Sequence, residues 1–289
     1  MNALPTILFD GVAYGMVLFV LACGLAVTLG LMNFVNLAHG AFAMAGGYVC
    51  AVLVNNAGWP FFAALPLSFV TGALLGLFLE RTLYRHLYRR SHLEQVLFTI
   101  GLTFMAVMAA DWLMGSSRVF IRLPEALEGQ IDVFGVGVGR YRLMIIVICG
   151  LLTLGLQLIL AKTRFGSRLR AAVDDPQVAG GLGINVPQVF AITFAFGCGL
   201  AGFGGALSAE ILGLDPYFPL KFMIYFLIVV TVGGSSSITG PFLAAMLLGI
   251  GDVAGKYYLP KLSAFVIYTI MIAVLIWRPN GLFGRTAAR

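Results

Sequence analysis

The chain has 289 residues, of which 60% are hydrophobic and only 10% are charged, and its formal net charge is +6. Soluble globular domains carry about 25% charged residues, so this composition, with a mean hydropathy of +0.98, excludes an ordinary soluble domain and indicates a lipid solvent. The basic residues fall in short clusters between apolar runs rather than in one patch, which argues against nucleic-acid binding.

The apolar runs predict an all-α polytopic membrane protein with one membrane domain. Continuous apolar windows fit transmembrane helices, whereas a β-barrel would require alternating strands. The windows are 5–31, 37–55, 61–79, 96–114, 142–161, 188–212, 222–233, 241–258 and 262–277. The first window is interpreted as a span, because it lacks the basic leader of a signal peptide. Window 222–233 is short and could be a half-helix, so eight or nine crossings are expected.

Lysine and arginine clusters predict the orientation of the chain in the membrane. They follow the third, fifth and last windows, and such clusters favour the cytoplasmic side. Their members are Arg81, Arg85, Arg89, Arg90, Lys162, Arg164, Arg168, Arg170, Arg278, Arg285 and Arg289. We therefore expect a periplasmic N-terminus and a cytoplasmic C-terminus. Arg118, Arg122 and Arg140 in loop 115–141 conflict with this orientation, although three acidic residues share that loop.

Glycine spacing gives two further expectations. Gly11/Gly15, Gly72/Gly76 and the glycines of 197–205 recur at spacings that let transmembrane backbones approach closely, which predicts a tightly packed bundle. The glycine-rich stretch 134–139 in the loop predicts a turn or a short hairpin in water.

No segment predicts catalysis, a bound nucleotide or a metal. Residues 197–202 match G-x-G-x-x-G, but they lie inside an apolar window with no strand before them. Gly255-Lys256 resembles the end of a phosphate-binding loop, yet Ile250 and Tyr257 stand where such a loop needs Gly and Ser or Thr. The three histidines and four cysteines show no metal or redox spacing. We expect no enzyme and no cofactor on this chain, so ATP-driven transport would require another chain to hydrolyse the ATP.

The basic loop 164–184 predicts short helices outside the membrane. Asp175 followed by Pro176 is typical of a helix start, and Gly180, Gly181 and Gly183 favour a stop. The apolar residues of these helices are Ala171, Ala172, Val178 and Ala179. Such helices could fit a groove on a partner protein, or the loop could be an ordinary solvated connector.

Two glycine-rich breaks mark candidate residues of a transport path. Asn33, Asn36 and His39 precede Gly40 beside apolar helices, where a broken helix would expose backbone polar groups. Both asparagines could instead cap helices at the membrane surface, and His39 could be a hydrogen-bonded packing residue. The second break, 233–241, contains Ser236 and Thr239 and could also be a simple loop.

Four acidic residues lie near the ends of predicted spans, namely Asp111, Glu210, Asp215 and Asp252. A proton relay is one interpretation of such residues, and interfacial placement is the other.

Four segments of the chain resemble the branched-chain amino-acid ABC-transporter permease family, in its LivH-type branch. The first is the loop pattern of Arg170-Ala171, Asp174, Ala179 and Gly183-Ile184. The others are 30–46, with Asn33, Asn36 and His39-Gly40, then 232–241 and 278–283. The likeness runs nearly end to end in the family's order.

The resemblance implies that 1–289 is one ABC-importer permease domain in a bacterial inner membrane. Its path would carry branched-chain amino acids, or related small amino acids or amides, by alternating access. The expected partners are a second, LivM-type permease, two cytoplasmic ATPases that bind ATP and Mg, and a periplasmic binding protein.

The residues to which the resemblance gives roles form two sets. Those expected to couple to the ATPases are Arg170, Ala171, Asp174, Asp175, Ala179, Gly183 and Ile184. Those expected along the substrate path are Asn33, Asn36, His39, Gly40, Ser236 and Thr239. An ion-coupled secondary transporter of small organic solutes is the alternative function, and the sequence does not determine the substrate.

Overall fold

The computed structural model describes residues 3–32, 34–88, 90–133, 136–234 and 238–283, which form a helical bundle with one β-hairpin. Its α-helices are α1 (Ala3–Met32), α2 (His39–Asn55), α3 (Phe61–Thr82), α4 (His92–Met114), α5 (Arg140–Lys162), α6 (Arg164–Asp174), α7 (Pro176–Gly181), α8 (Val186–Leu212), α9 (Phe218–Gly233), α10 (Thr239–Tyr258) and α11 (Ser263–Trp277). Each predicted apolar window corresponds to one of these helices, so the all-α fold class is confirmed.

Within the described ranges, six helices are long and apolar enough to cross a membrane, namely α1, α3, α4, α5, α8 and α11 together with the short turn before it. Helices α2 and α9 are apolar but shorter, with 17 and 16 residues. Helix α9 begins at Phe218 rather than at 222, because Pro219 fits the first helical turn, where an N–H group has no helical partner. The polytopic membrane character is confirmed, and the number of crossings stays a prediction.

Helix α8 lies at the centre of the bundle, and α1, α2 and α3 pack against it. Glycine permits these contacts. A Cβ on Gly72 of α3 would lie 2.4 Å from the carbonyl oxygen of Cys198, and one on Gly46 of α2 would lie 2.4 Å from the Cα of Gly202. The backbones therefore touch directly, as the glycine spacing predicted.

Helices α6 and α7, which we call the lever, leave the bundle between α5 and α8. The Asp175 carboxylate accepts hydrogen bonds from two backbone N–H groups of the first turn of α7 (2.9 and 3.0 Å), and Pro176 follows it. At the other end Gly183 has a φ of +84°, and the Ile184 N–H donates to the carbonyl of Ala179 (3.0 Å), which closes the helix. The predicted start and stop are both confirmed.

The loop between α4 and α5 contains an antiparallel hairpin of β1 (Gln130–Val133) and β2 (Val136–Gly139), with Gln130 opposite Gly139. Residues 134 and 135 at its tip lie outside the described ranges. Earlier in the loop, Val119 and Leu214 exchange both of their backbone hydrogen bonds (2.7 and 2.8 Å). These bonds tie the loop to the end of α8, and the predicted hairpin is confirmed for its two strands.

Candidate substrate path and coupling surface

Helix α2 begins partway along α1 instead of at its end. His39, its first residue, places Nε2 2.9 Å from the carbonyl oxygen of Leu21. Helix α1 continues from Leu21 to Met32, which is about 16 Å of further helix. Between the two helices the Phe34 N–H donates to the carbonyl of Thr28 (3.2 Å). Residues 34–38 therefore fold back along α1 into the bundle, and we call them the re-entrant segment.

The re-entrant segment is mostly buried and non-helical, so its polar groups need partners from the protein. Helix α4 supplies two of them. The Val35 N–H donates to Oε1 of Gln95, and the Leu37 N–H donates to Oγ1 of Thr99, both at 3.2 Å. Sequence reasoning missed both residues, although polar side chains four positions apart at the start of an apolar helix are a usable signal.

The predicted residue Asn36 is completely buried in this segment. Its Oδ1 accepts a hydrogen bond from the hydroxyl of Tyr84 (3.2 Å), in the short helical turn Tyr84–His86 after α3. Burial raises the pKa of the Tyr84 phenol well above its ordinary value, so the hydroxyl keeps the proton that it donates. Asn36 does not cap α2, whose first turn has no side-chain cap. Asn33 lies outside the described residues.

His39 and Gly40 lie at the point where the start of α2 meets the start of α9. The His39 ring is 1% exposed and lies edge-on to Phe226 (6.2 Å between centroids), and Nδ1 has no hydrogen-bond partner among the described residues. A Cβ on Gly40 would lie 2.8 Å from the Cα of Pro219. Two helix N-termini, each with a positive dipole end, thus converge inside the bundle.

The second predicted break separates α9 from α10. Gly234 has a φ of +86° after the end of α9, and α10 begins at the exposed Thr239. Ser236 lies outside the described residues. Phe242 packs edge-on against Phe19 (5.3 Å between centroids), which brings the start of α10 to nearly the same level of α1 as the start of α2. The two breaks therefore lie at similar depth.

The C-terminal segment closes the end of α9. The Leu282 N–H donates to the carbonyl of Val232 (2.8 Å), and the Phe283 N–H donates to that of Gly233 (3.1 Å). These bonds satisfy carbonyls that a helix end leaves open. The sequence segments 232–241 and 278–283, which share no local pattern, thus meet in the structure.

The residues predicted for coupling lie on the lever and directly after it, but they do not share one face. Ala171 is half-buried and Asp174 is exposed, while Arg170 donates from Nη1 to the carbonyl of Leu160 (2.5 Å). Ala179 is only 2% exposed and faces the chain itself.

The exposed apolar side chains of α7 and its end are instead Val178 and Leu182, at 59% and 77%. The predicted apolar set is therefore divided, because Ala172 and Ala179 are buried while Val178 is exposed. Asp175, Gly183 and Ile184 fix the two ends of α7, as described above.

Two of the four acidic residues are tightly paired. The side chain of Asp215 is 11% exposed and lies 2.5 Å from Nζ of Lys221 and 3.7 Å from Nε of Arg118. Asp252 pairs with Lys256 at 2.5 Å. Carboxylates with fixed cationic partners favour interfacial anchoring over a proton relay.

Glu210 lines a polar cleft beside the hairpin, with a volume of about 600 Å³. Arg122, Glu128 and Arg142 share this cleft, and Arg142 also pairs with Asp10. The side chain of Asp111 accepts a hydrogen bond from the Ser116 hydroxyl (2.6 Å). Both acids therefore lie at the hairpin end of the bundle, among other polar groups.

Comparison with known proteins gives a match over nearly the whole chain. The family model described as "Branched-chain amino acid transport system / permease component" matches residues 7–275. The high-affinity branched-chain amino acid transport system permease protein LivH of Escherichia coli (strain K12) is 27% identical over 293 residues, covering 96% of this chain and 94% of that protein.

Two further relatives extend this comparison. A probable branched-chain amino acid transport permease protein LivH of Methanocaldococcus jannaschii is 30% identical, covering 96% of this chain and 92% of that protein. The Escherichia coli (strain K12) permease protein LivM is 25% identical, covering 94% of this chain and 68% of that protein. No solved structure matches the chain.

Proposed function

Because the chain belongs to the branched-chain amino acid transport system permease family, we propose that it is a permease subunit of an ATP-driven importer. It forms part of the inner-membrane path, and separate chains bind and hydrolyse ATP with Mg. The match to both LivH and LivM proteins supports a pair of related but different permeases as the membrane unit.

One observation carries the proposal. The chain has both a buried, non-helical segment inside the bundle, the re-entrant segment, and a pair of short helices outside the bundle, the lever. Non-helical backbone at membrane depth is tolerated where it is enclosed by protein or lines a cavity, and transporters use it at their binding sites. Val178 of the lever and Leu182, which directly follows it, are exposed and suit a shallow groove on a cytoplasmic ATPase.

The relatives' names support branched-chain amino acids as the substrate class. A periplasmic binding protein would deliver the substrate at the hairpin end, and the lever would face the cytoplasm. Of the three arginines that conflict with the charge rule, Arg118 forms an ion pair with Asp215, and Arg122 and Arg140 stay in conflict with this orientation.

Reconstitution tests the proposal. The chain is incorporated into proteoliposomes with a LivM-type permease, two ATPases and a binding protein, and uptake of labelled leucine is measured. We expect uptake only when ATP is present on the lever side and the binding protein is on the hairpin side. Uptake driven by a proton or sodium gradient without ATP would contradict the proposal.

A further inference from the structure

Gln95 holds two separate segments with one side chain. Its Oε1 accepts the hydrogen bond from the Val35 N–H of the re-entrant segment (3.2 Å). Its Nε2 donates to the carbonyls of Leu87 and Arg90, also at 3.2 Å, in the loop between α3 and α4. The residue is 2% exposed. Only a neutral amide can accept at one end and donate two bonds at the other.

A cluster of aromatic rings joins the same two segments to α8. Phe34 of the re-entrant segment lies edge-on to Tyr84 and Tyr88, at 5.4 Å from each ring centroid, and 6.4 Å from Phe194. The rings of Tyr84 and Phe194 are closer still, at 4.7 Å. Edge-to-face packing of this kind fixes ring orientation, so these rings are expected to move together.

The cluster reaches the lever through the first turns of α8. Leu169 and Ala172 of α6 are completely buried against Val189, and Phe190 packs at the edge of this contact. The Phe190 ring also lies 5.9 Å from that of Tyr88. A close-packed interior transmits displacement rather than absorbing it.

We infer that Gln95 and Tyr84 are positioning residues that couple the lever to the re-entrant segment. Movement of α6 reaches Phe190, then Tyr88 and Tyr84, and finally Val35 and Asn36 through the two hydrogen-bonding side chains. This inference rests on the proposed function, because it assumes that the lever is moved by an ATPase. It assigns roles to residues that touch neither the ATPase nor the substrate.

The test uses the full reconstituted complex and measures leucine uptake per ATP hydrolysed. Gln95→Leu removes three hydrogen bonds and is expected to lower this ratio about tenfold, and Gln95→Glu about as much, because a carboxylate cannot donate. Tyr84→Phe deletes a single oxygen atom and should lower the ratio about threefold. The matched controls are Gln157→Leu on α5 and Tyr257→Phe, which is exposed at the other end of the bundle.

The ratio separates coupling from stability. A purely structural role would lower the amount of assembled complex, and with it uptake and ATP hydrolysis in proportion. A ratio within twofold of the wild type in the assembled variants would therefore overturn the inference. If Gln95→Leu does not assemble, Tyr84→Phe decides alone. Wild-type complexes without ATP-dependent uptake would contradict the proposed function itself.

Discussion

Gly281 lies so close to Gly234 that a Cβ on Gly281 would stand 2.7 Å from the backbone nitrogen of Gly234. Gly281 also has a φ of +79°, which side chains disfavour. This contact places the C-terminal segment over the end of α9, where segments 232–241 and 278–283 meet.

Replacing Gly281 with alanine should lower the free energy of unfolding by about 3 kcal/mol, because backbone strain and steric overlap add. Gly58→Ala is the matched control, since Gly58 has a φ of +68° with nothing within 4 Å. That variant should lose only about 1 kcal/mol. Chemical denaturation in detergent measures both values, and equal losses would show that crowding at Gly281 is unimportant.

Gly72→Ala should destabilise the bundle by about 1–3 kcal/mol, because the new methyl group meets the Cys198 carbonyl on α8. Gly101→Ala on α4 meets nothing within 4 Å and should instead stabilise its helix by up to about 1 kcal/mol. Thermal unfolding of both variants tests the central position of α8. A Gly72→Ala protein as stable as the wild type would argue against it.

Leu182→Asp should weaken ATPase association about tenfold or more, because the charge replaces an exposed apolar side chain on the proposed docking surface. Pull-down of the ATPases measures this loss, and the thermal stability of the permease should not change. Normal ATPase binding by Leu182→Asp would exclude this surface.

Ala179→Arg should act differently. Its charge enters a buried site, so we expect loosened packing of α7, seen as faster hydrogen exchange in 176–184.

Asp215→Asn should lower the free energy of unfolding by about 1–3 kcal/mol, because Lys221 and Arg118 lose their anionic partner. ATP-driven uptake should still occur in this variant, and a protonophore should not abolish it. Asp132→Asn, exposed on the hairpin, is the control and should be neutral. Complete loss of uptake with unchanged stability would revive the proton-relay interpretation.

The helices could be predicted because a chain segment in lipid must satisfy its backbone hydrogen bonds internally, and this constraint can be read from the sequence alone. Long apolar windows must form helices, and Asp175-Pro176 starts α7 through local hydrogen bonds. The face of α7 could not be predicted in the same way. A helix of six residues has too few positions to show a period, so the inward direction of Ala179 emerges only from tertiary packing.

In the candidate path, too, some residues could be predicted from the sequence and others could not. Asn36, His39 and Gly40 were identified from a local cluster of polar and small residues. Gln95 and Thr99 were not identified, because their spacing of four residues places them on one helix face but does not reveal which distant segment that face meets. Their partners lie 60 and 62 positions away along the chain.

Because α2 begins beside the middle of α1, it does not extend along the whole bundle, and this affects how a passage could open. The hydrocarbon layer is about 30 Å thick, and the 17 residues of α2 provide about 25 Å of helix. On the lever side of His39, α2 is replaced by the non-helical backbone of the re-entrant segment, which is held by side chains of α4 and by Tyr84. If the proposed function is right, moving this segment aside would break its side-chain hydrogen bonds to Gln95, Thr99 and Tyr84, while the bonds between residues of α1 and between residues of α2 could stay in place.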